Sequence, residues 1–276
     1  MIYDSPPQRV VSLVPSVTES LFDLGFGAAL VGVTDFCVHP EEKTAALPKV
    51  GGTKNARVDD IRALNPDLVI ANQEENTREV VEALDKAGIP VWLTFPKTVD
   101  DAVELLYELA GLFRGQNAML AVRGLAGSVE YARAAVREPE RTFCPIWFDR
   151  TAAGEPWWMT FNDDTYPHDL LAVLGKTNVF ADRTRRYPLA ADLGQEEPKQ
   201  FPARDDRYPR VTAAEIVEAA PQLVLLPSEP YAFKEGDETL LRELLGDSAR
   251  YLFCDGSLLT WHGTRLAKAL QLNWKN

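Results

Sequence analysis

Short apolar runs alternate with amphipathic stretches along the first 110 residues of the chain. Four apolar runs predict buried strands, at residues 10–14, 30–34, 68–72 and 91–94. Four segments between and after them carry apolar residues at helical spacing, at residues 18–24, 58–64, 77–87 and 99–113. Because this alternation is typical of βαβ units, it predicts a parallel sheet covered by helices.

A longer helical pattern follows at residues 117–137. This segment has no proline and consists mostly of good helix formers, so it predicts one helix about 30 Å long. Strand and helix patterns resume after residue 140, whereas the polar, proline-rich residues 183–209 predict a long surface excursion. The chain therefore divides into an N-terminal α/β lobe (1–113), a connecting helix (114–138) and a C-terminal α/β lobe (139–276).

One segment of the first lobe is echoed in the second. DIRALNPDLVIA at residues 60–71 matches EIVEAAPQLVLL at residues 215–226, at an offset of 155 residues. Each segment predicts a helix, a turn at a proline and a buried strand. The echo either reflects the helix-turn-strand order that is common to α/β proteins or indicates two lobes of related design.

The amino-acid composition of the chain excludes several classes of function. The chain has 276 residues, 46% of them hydrophobic, which excludes a disordered protein and favours two separate cores. Its 41 Asp and Glu residues outnumber its 29 Lys and Arg residues, and this acidity argues against a nucleic-acid partner. No apolar run approaches the roughly 20 residues that span a bilayer, so we expect no membrane span.

Longer stretches of the sequence resemble a known family. They are RVVSLVPSVTESLFDLGFGAALVGVT at residues 9–34, GGTKN at 51–55, WWMTFNDDTYPHDLLAVLGKTNVFAD at 157–182 and DGSLLTWHGTRL at 255–266. In this order they resemble the class III, or helical-backbone, substrate-binding proteins of ABC transporters. The resemblance implies two Rossmann-like lobes with mostly parallel sheets, joined by one long backbone helix, with a ligand cleft between the lobes.

The resemblance also implies a function. Members of this family bind cobalamin, ferric siderophores or haem, so we expect a binding protein, not an enzyme, that holds a corrinoid, ferric siderophore or haem type of metal chelate for an ABC importer. The chelate would be a bound ligand and no intrinsic cofactor is expected. We expect a monomer whose partners are the chelate and an importer permease. The alternative is a cytoplasmic chelatase-like enzyme or ligand sensor that uses the cleft histidines.

The start of the chain bears on where the protein works. It lacks the basic region, long apolar stretch and cleavage site of a signal peptide. We therefore expect a cytoplasmic protein if Met1 is the natural start, and a periplasmic or cell-surface protein if a leader was removed, as is usual for the family.

The three histidines are the leading candidates for metal chemistry. His39, His168 and His262 all fall on predicted loops or at a helix start, and imidazole is a common ligand for iron, cobalt and zinc. No HExxH or CxxC spacing is present, so a metal held by the protein alone is not expected. We expect His39 and His262 to contact the metal of a bound chelate.

Other residues after the predicted strands are candidate ligand contacts. Ser16 opens the first helix, where it either caps the helix together with Glu19 or presents backbone amides to an anionic ligand edge. Aromatic side chains would supply flat apolar walls for a macrocycle. The aromatic candidates are Phe36, Phe95, Trp158 and Trp261, and the polar candidates are Asn72, Gln73, Glu229, Tyr231 and Arg265, the last expected to pair with ligand carboxylates or phosphate.

Docking on a permease is the remaining implication of the resemblance. Family members dock through one acidic residue on the tip of each lobe. Asp59 matches the first of these positions. At the second position the chain has Ala214, with Glu215 next to it.

Overall fold

The computed structural model describes residues 5–135, 138–201 and 204–272. The chain forms two compact units: unit 1 contains the chain up to Ser128 together with Trp261–Lys268, and unit 2 contains Val129–Thr260 and the chain from Ala269 onward. Residues 261–268 therefore pack with unit 1, whereas the expected boundaries assign everything after residue 138 to the second lobe. The expected α/β class is confirmed, because each unit is built on a four-stranded parallel sheet.

Unit 1 contains a sheet with the strand order β2-β1-β3-β4, in which every neighbouring pair is parallel. Its strands are β1 (Val10–Ser12), β2 (Leu30–Val33), β3 (Leu68–Asn72) and β4 (Val91–Thr94). Its helices are α1 (Pro15–Asp23), α2 (Glu41–Ala45), α3 (Val58–Ala63), α4 (Arg78–Lys86) and α5 (Val99–Leu112). All four predicted strands are present, and only the short helix α2 lacked a predicted counterpart.

The strands of unit 1 consist mostly of apolar residues because their side chains are buried. All five residues of β3 are buried, as expected for a central strand of a parallel sheet. Val11 and Val69 from the sheet pack with Ile61 and Leu84 from the helices in one core cluster. This cluster of the unit 1 core therefore lies between the sheet and helices α3 and α4.

Helix α1 begins earlier than the sequence indicates. It starts at Pro15, and its N-cap residue Val14 makes no side-chain cap hydrogen bond. The expectation that Ser16 caps this helix is therefore wrong, since Ser16 already lies in the first turn. Proline suits the first helical position because its missing N–H would have no helical partner there.

Unit 2 contains a parallel sheet with the order β11-β10-β5-β8. These strands are β5 (Glu140–Phe143), β8 (Lys176–Asn178), β10 (Leu223–Pro227) and β11 (Arg250–Cys254). The helices are α7 (Tyr166–Val173), α8 (Leu189–Asp192), α9 (Ala213–Ala219), α10 (Glu235–Leu245) and α11 (Ser257–Thr260). Phe143, Trp158, Val224 and Leu241 belong to its core cluster.

A second, antiparallel sheet in unit 2 lay outside the predictions. It has the order β6-β7-β9 and consists of β6 (Trp147–Arg150), β7 (Pro156–Met159) and β9 (Arg210–Thr212). Residues 142–148 are mostly apolar, but they belong to two strands of different sheets, β5 and β6. Pro145 lies between the strands and has no N–H to donate to a sheet.

The proline-rich segment at residues 183–209 is also more ordered than a surface excursion. It contains α8, and Asp192 at the end of that helix is buried with a side chain that is 0% exposed. The prediction of a surface excursion is therefore wrong for this part of the segment.

Two helices cross the division between the units. The long helix α6 (Gln116–Ala135) contains the boundary at Ser128, and α12 (Leu266–Gln271) contains the boundary at Lys268. The predicted helix at 117–137 thus corresponds to α6. Its last predicted residues, 136 and 137, lie outside the described residues.

The sequence echo corresponds to equivalent positions in the two parallel sheets. β3 is flanked by β1 and β4, and β10 is flanked by β5 and β11. The residue before each proline turn, Asn65 or Ala220, has a positive φ, of 47° and 43° respectively. In unit 1 the Arg9 guanidinium donates to Leu64 O and Asn65 O.

The same arginine contact recurs in unit 2. The guanidinium of Arg141 donates to the carbonyl oxygens of Ala219 and Ala220, which lie at the echo positions of the two acceptors in unit 1. In each case the arginine satisfies carbonyl groups at the end of the preceding helix, which otherwise have no helical partner. Shared strand position, backbone conformation and arginine contact favour two lobes of related design over a chance repeat.

Candidate functional site

The loop after β2 in unit 1 is anchored by a buried cysteine. Thr18 Oγ1 donates to Cys37 Sγ at 3.1 Å, Thr34 Oγ1 lies 3.1 Å from the same sulfur, and Lys49 Nζ donates to Cys37 O at 3.0 Å. Burial raises the pKa of the Cys37 thiol, so it stays protonated at neutral pH. The two neighbours of Cys37 point outward, with Phe36 60% exposed and Val38 48% exposed.

His39 stands at the end of this loop against an aromatic ring. It is exposed, and its ring centroid lies 5.8 Å from that of Trp261 in an edge-on arrangement. Phe36 lies over Gly52, where an added Cβ would be 3.2 Å from the ring. We call Phe36, His39 and Trp261 the aromatic surface of unit 1.

Phe95 and Gln73 follow the next two strands of the sheet. Phe95 comes directly after β4 and is half-buried, and Lys97 Nζ lies 5.1 Å from its ring centroid. Gln73 comes directly after β3 and is exposed. Because β2, β3 and β4 run in the same direction, the residues that follow them all lie at the carboxyl edge of one sheet, where ligands of open α/β sheets bind. These residues are Phe36, His39, Gln73 and Phe95.

Asn72 has a structural rather than a ligand-facing position. It is 2% exposed, its Oδ1 accepts from the amides of Glu74 (2.8 Å) and Glu75 (3.2 Å), and its Nδ2 donates to Thr94 Oγ1 at 3.3 Å. The expectation that Asn72 contacts a ligand is therefore corrected, since all of these contacts shape the turn after β3.

Asn76 organises the same edge and was not predicted. Its Oδ1 accepts from the backbone amide of Asn72 at 2.8 Å, and its Nδ2 donates to Leu13 O at 3.2 Å and Thr53 O at 2.9 Å. These bonds join the ends of β1 and β3 to the GGTKN loop. No local pattern marks this residue, because its partners lie up to 63 positions away in the chain.

His262 lies inside unit 1 instead of at its surface. It is 8% exposed, and both ring nitrogens lie 3.5 Å from Ser16 Oγ, which is itself buried. Burial lowers the pKa of His262 to about 4, so the ring is neutral at pH 7. The expectation that His262 contacts a metal chelate, and that Ser16 faces a ligand, is not supported by these positions.

Arg265 is held in a buried ion pair. Its Nε and Nη2 donate to the two oxygens of Glu19 at 2.6 and 3.0 Å, Lys268 Nζ donates to Glu19 at 2.9 Å, and the guanidinium stacks on Trp261 at 4.6 Å. Burial acts to raise the pKa of Glu19, but hydrogen bonds from Arg265 and Lys268 outweigh it, so the pKa is lowered. The expected pairing of Arg265 with a ligand is corrected, since both side chains of the pair are only 5% exposed.

In unit 2 the aromatic candidates pack on one another. Trp158 is 0% exposed in the core cluster, and its ring centroid lies 5.4 Å from that of Phe148. Trp158 is therefore a core residue, and its expected ligand contact is wrong. Tyr231 is half-buried, with its ring centroid 5.7 Å from Trp147 and 4.7 Å from Phe233.

The polar candidates of unit 2 lie near strand ends. Glu229 is half-buried, and its Oε1 accepts from Thr260 Oγ1 at 3.4 Å. His168, in the first turn of α7, is half-buried with Nδ1 3.5 Å from Asn178 Nδ2. An open pocket of about 320 Å³ lies at the carboxyl ends of β10 and β11, lined by Leu226, Ser228, Phe233, Phe253, Cys254 and Asp255.

The two docking candidates differ in how free their carboxylates are. Asp59 on α3 has an 87% exposed side chain, with Arg62 3.1 Å away. Glu215 forms a capping box at the start of α9, where its Oε2 accepts from Thr212 N at 2.8 Å, and its Oε1 accepts from Arg183 Nε at 2.9 Å. The carboxylate of Glu215 is therefore already used within unit 2.

Within residues 5–135, 138–201 and 204–272, no group of three or more His, Cys, Asp and Glu side chains is arranged to hold a metal ion. None of the helices in this part of the chain is long and apolar enough to span a bilayer.

The chain is similar to a known protein family and to named relatives. The model of the periplasmic binding protein family matches residues 10–243. A vitamin B12-binding protein of Pectobacterium atrosepticum is 29% identical over 190 residues, which cover 66% of this chain and 65% of the relative. A vitamin B12-binding protein of Vibrio parahaemolyticus is 27% identical over 196 residues, covering 67% of this chain and 66% of the relative.

Solved structures share the fold. The periplasmic vitamin B12-binding protein of Vibrio cholerae has a TM-score of 0.71 at 20% identity, covering 96% of this chain and 94% of that one. A periplasmic haem-binding protein from Roseiflexus has a TM-score of 0.66 at 21% identity, covering 95% of both chains. These named relatives are binding proteins, which fits the expectation of a non-enzymatic role.

Proposed function

Because the chain belongs to the periplasmic binding protein family, we propose that it is the substrate-binding protein of an ABC importer and that its substrate is a metal chelate. The chelate is of the corrinoid, haem or ferric siderophore type. In this proposal the protein works as a monomer outside the cytoplasmic membrane and hands its ligand to a permease. The ligand is cargo, and the protein has no cofactor of its own.

The names of the relatives support the class of ligand. The curated relatives bind vitamin B12, and solved structures with the same fold include vitamin B12-binding and haem-binding proteins. Corrinoids and haem share a flat macrocycle around a metal ion. A protein surface that suits such a molecule offers exposed aromatic rings and a group able to approach the metal.

The observation that carries the proposal is the aromatic surface of unit 1. Phe36 is 60% exposed although it is a large apolar side chain, and its backbone is anchored through the buried Cys37. An aromatic ring has few rotatable bonds, so it covers a flat ligand at little cost in side-chain entropy. Exposed apolar side chains beside a strand edge are typical of ligand surfaces.

His39 is the residue we propose for contact with the metal. It is the exposed one of the two histidines in unit 1, and the edge of Trp261 restricts its ring. A neutral imidazole nitrogen is a good ligand for iron and cobalt, whereas His262 is enclosed beside Ser16. Phe95 and Gln73 would complete the ligand-facing residues of unit 1.

Titration with three chelates tests the proposal. Aquocobalamin, haemin and a ferric catecholate are added separately, and binding is followed by calorimetry and by the chelate's absorption spectrum. We expect one of them to bind with one-to-one stoichiometry. In Phe36→Ala we expect binding to weaken by about 2 kcal/mol, the burial energy of one aromatic side chain. In His39→Ala we expect the metal absorption bands of the bound chelate to shift as well.

Tyr131→Ala is the matched control, because Tyr131 is a 78% exposed aromatic residue on α6. It should leave the affinity unchanged. The proposed chelate class fails if none of the three chelates binds. The proposed surface fails if a chelate binds but Phe36→Ala and Tyr131→Ala behave alike.

Docking on a permease is tested separately with Asp59, whose carboxylate is almost fully exposed. In pulldown with a candidate importer permease, Asp59→Arg should reduce complex formation. Asp85→Arg, a charge reversal at another exposed residue of unit 1, should not. Equal complex formation with both variants would argue against a docking role for Asp59.

A further inference from the structure

A basic cluster lies in unit 2, in a chain whose net charge is −12. Between residues 183 and 210 the sequence contains six arginines. The proposed chelate function uses none of these arginines. The question is which of these guanidinium groups already have a carboxylate partner.

Three of the arginines are paired. Asp192 accepts from Arg183 Nη1 at 3.0 Å and from Arg210 Nε at 2.7 Å, and its carboxylate also accepts the backbone amides of residues 186 and 210. Asp205 accepts from Arg207 Nε at 2.9 Å and Nη2 at 2.7 Å. The two aspartates are therefore fully occupied by other groups.

Arg185 and Arg204 have an aromatic partner instead. Their guanidinium carbons lie 4.7 Å and 5.0 Å from the centroid of the Tyr187 ring, so the two carbons are no farther apart than the sum of these distances. Arg204 also lies 4.6 Å from the Phe201 ring centroid. The Tyr187 hydroxyl donates to Asp205 O at 2.6 Å, which fixes the ring that carries both cations.

Arg185 has hydrogen-bonding capacity left over. Among the residues that the structure describes, its Nε is buried and has no hydrogen-bond partner. A buried donor without a partner is costly and rare in native proteins. Burial is the main cause that lowers the pKa of Arg185; the charge of Arg210 lowers it further, whereas Tyr187, Asp192 and Asp205 act to raise it.

We propose that Arg185 and Arg204, held on Tyr187, form an oxyanion-binding site of unit 2 that takes a phosphoryl group. A phosphoryl group carries several oxygen acceptors, so it can accept from two guanidinium groups at once and neutralise both charges. Because Arg185 Nε is buried, the terminal nitrogens of the two guanidinium groups would make these contacts. The group comes either from a small soluble phosphate compound or from the headgroup of an anionic phospholipid.

Two measurements on the whole chain separate these sources. Inorganic pyrophosphate is titrated by calorimetry at low ionic strength, and vesicles of phosphatidylglycerol or phosphatidylcholine are used for flotation. We expect saturable binding in one of the two, weakened about tenfold or more in Arg185→Gln and in Arg204→Gln, the loss typical of charge-assisted hydrogen bonds. The measurement that responds identifies the source of the phosphoryl group.

The matched control is Arg123→Gln, which removes an exposed charge on α6 and should leave binding unchanged. Circular dichroism and thermal unfolding of each variant establish that it is folded, and Arg204→Gln serves if Arg185→Gln is not. The proposal is overturned if neither pyrophosphate nor phosphatidylglycerol binds saturably. It is also overturned if Arg185→Gln and Arg123→Gln lose the same binding.

Discussion

The buried ion pair between Glu19 and Arg265 gives the sharpest prediction about stability. It joins α1 to the segment Trp261–Lys268, which reaches unit 1 from the far end of the chain. Glu19→Gln keeps the size of the side chain and removes its charge. Arg265 then remains buried, with a side chain that is 5% exposed, and loses the charge of Glu19 that both its Nε and its Nη2 contact.

The expected magnitude follows from this geometry. Removing one partner of a buried ion pair costs about 3–5 kcal/mol, and the retained amide oxygen of glutamine places the loss near the lower value. For a unit of this size, a loss of about 3 kcal/mol lowers Tm by roughly 6–12 °C. Urea unfolding at pH 7, followed by circular dichroism, measures the loss of free energy directly.

The pH dependence supplies a second check. The pKa of Glu19 is lowered below its ordinary value of 4.5 in the folded protein, so its stabilising contribution is present above pH 4.5. That contribution is lost as the pH falls through the folded pKa, where the wild-type carboxyl becomes neutral like the glutamine amide. The stability difference between wild type and Glu19→Gln should therefore shrink as the pH falls below 4.5 and through the folded pKa.

The control is Glu82→Gln, which breaks an exposed pair with Arg78 and should leave Tm unchanged. Equal stability of wild type and Glu19→Gln at pH 7 would refute the reasoning. So would a stability difference that persists undiminished below the folded pKa of Glu19.

Two more predictions concern the segment Trp261–Lys268. The pKa of His262 is about 4 in the folded protein and 6.5 when the ring is exposed, so the free energy of unfolding should fall by about 3 kcal/mol between pH 6.5 and pH 4. Urea titrations of His262→Gln should show a smaller fall. An identical fall in the variant and the wild type would contradict a buried, neutral His262. Gly263 has φ +97° and an added Cβ would lie 2.3 Å from Ser20 Oγ, so Gly263→Ala should cost about 1–3 kcal/mol in thermal unfolding. Gly127→Ala, in open space on α6, should instead be neutral or slightly stabilising.

Most of the architecture could be predicted from the chain because it depends on local patterns. β3 and β10 are buried apolar runs bounded by turn residues, and a run of this kind can be recognised as a strand from a few neighbouring residues. The echo between them also located equivalent positions in the two sheets. The short helices α2 and α8 were missed because four or five residues carry too little periodicity to predict a helix.

The candidate site was harder to predict, because exposure is not a local property. Phe36 and Trp158 are both aromatic residues near strand ends, yet Phe36 is 60% exposed and Trp158 is fully buried. What separates them is the packing of distant elements, such as the pairing of β7 with β9 over Trp158. The sequence indicated the residue types near the sheet edge but not which of them face outward.

By itself the sequence determined the α/β class, the four strands of the sheet in unit 1, the long helix and the family, since each rests on short-range periodicity or on motifs in a fixed order. Only the tertiary structure decided that Arg265 neutralises Glu19, that His262 is enclosed beside Ser16, and that His39 stays exposed against Trp261. The partners in the first two contacts are 246 residues apart, and no local pattern encodes such a distance. A side chain's charge state and exposure depend on the groups that folding brings around it.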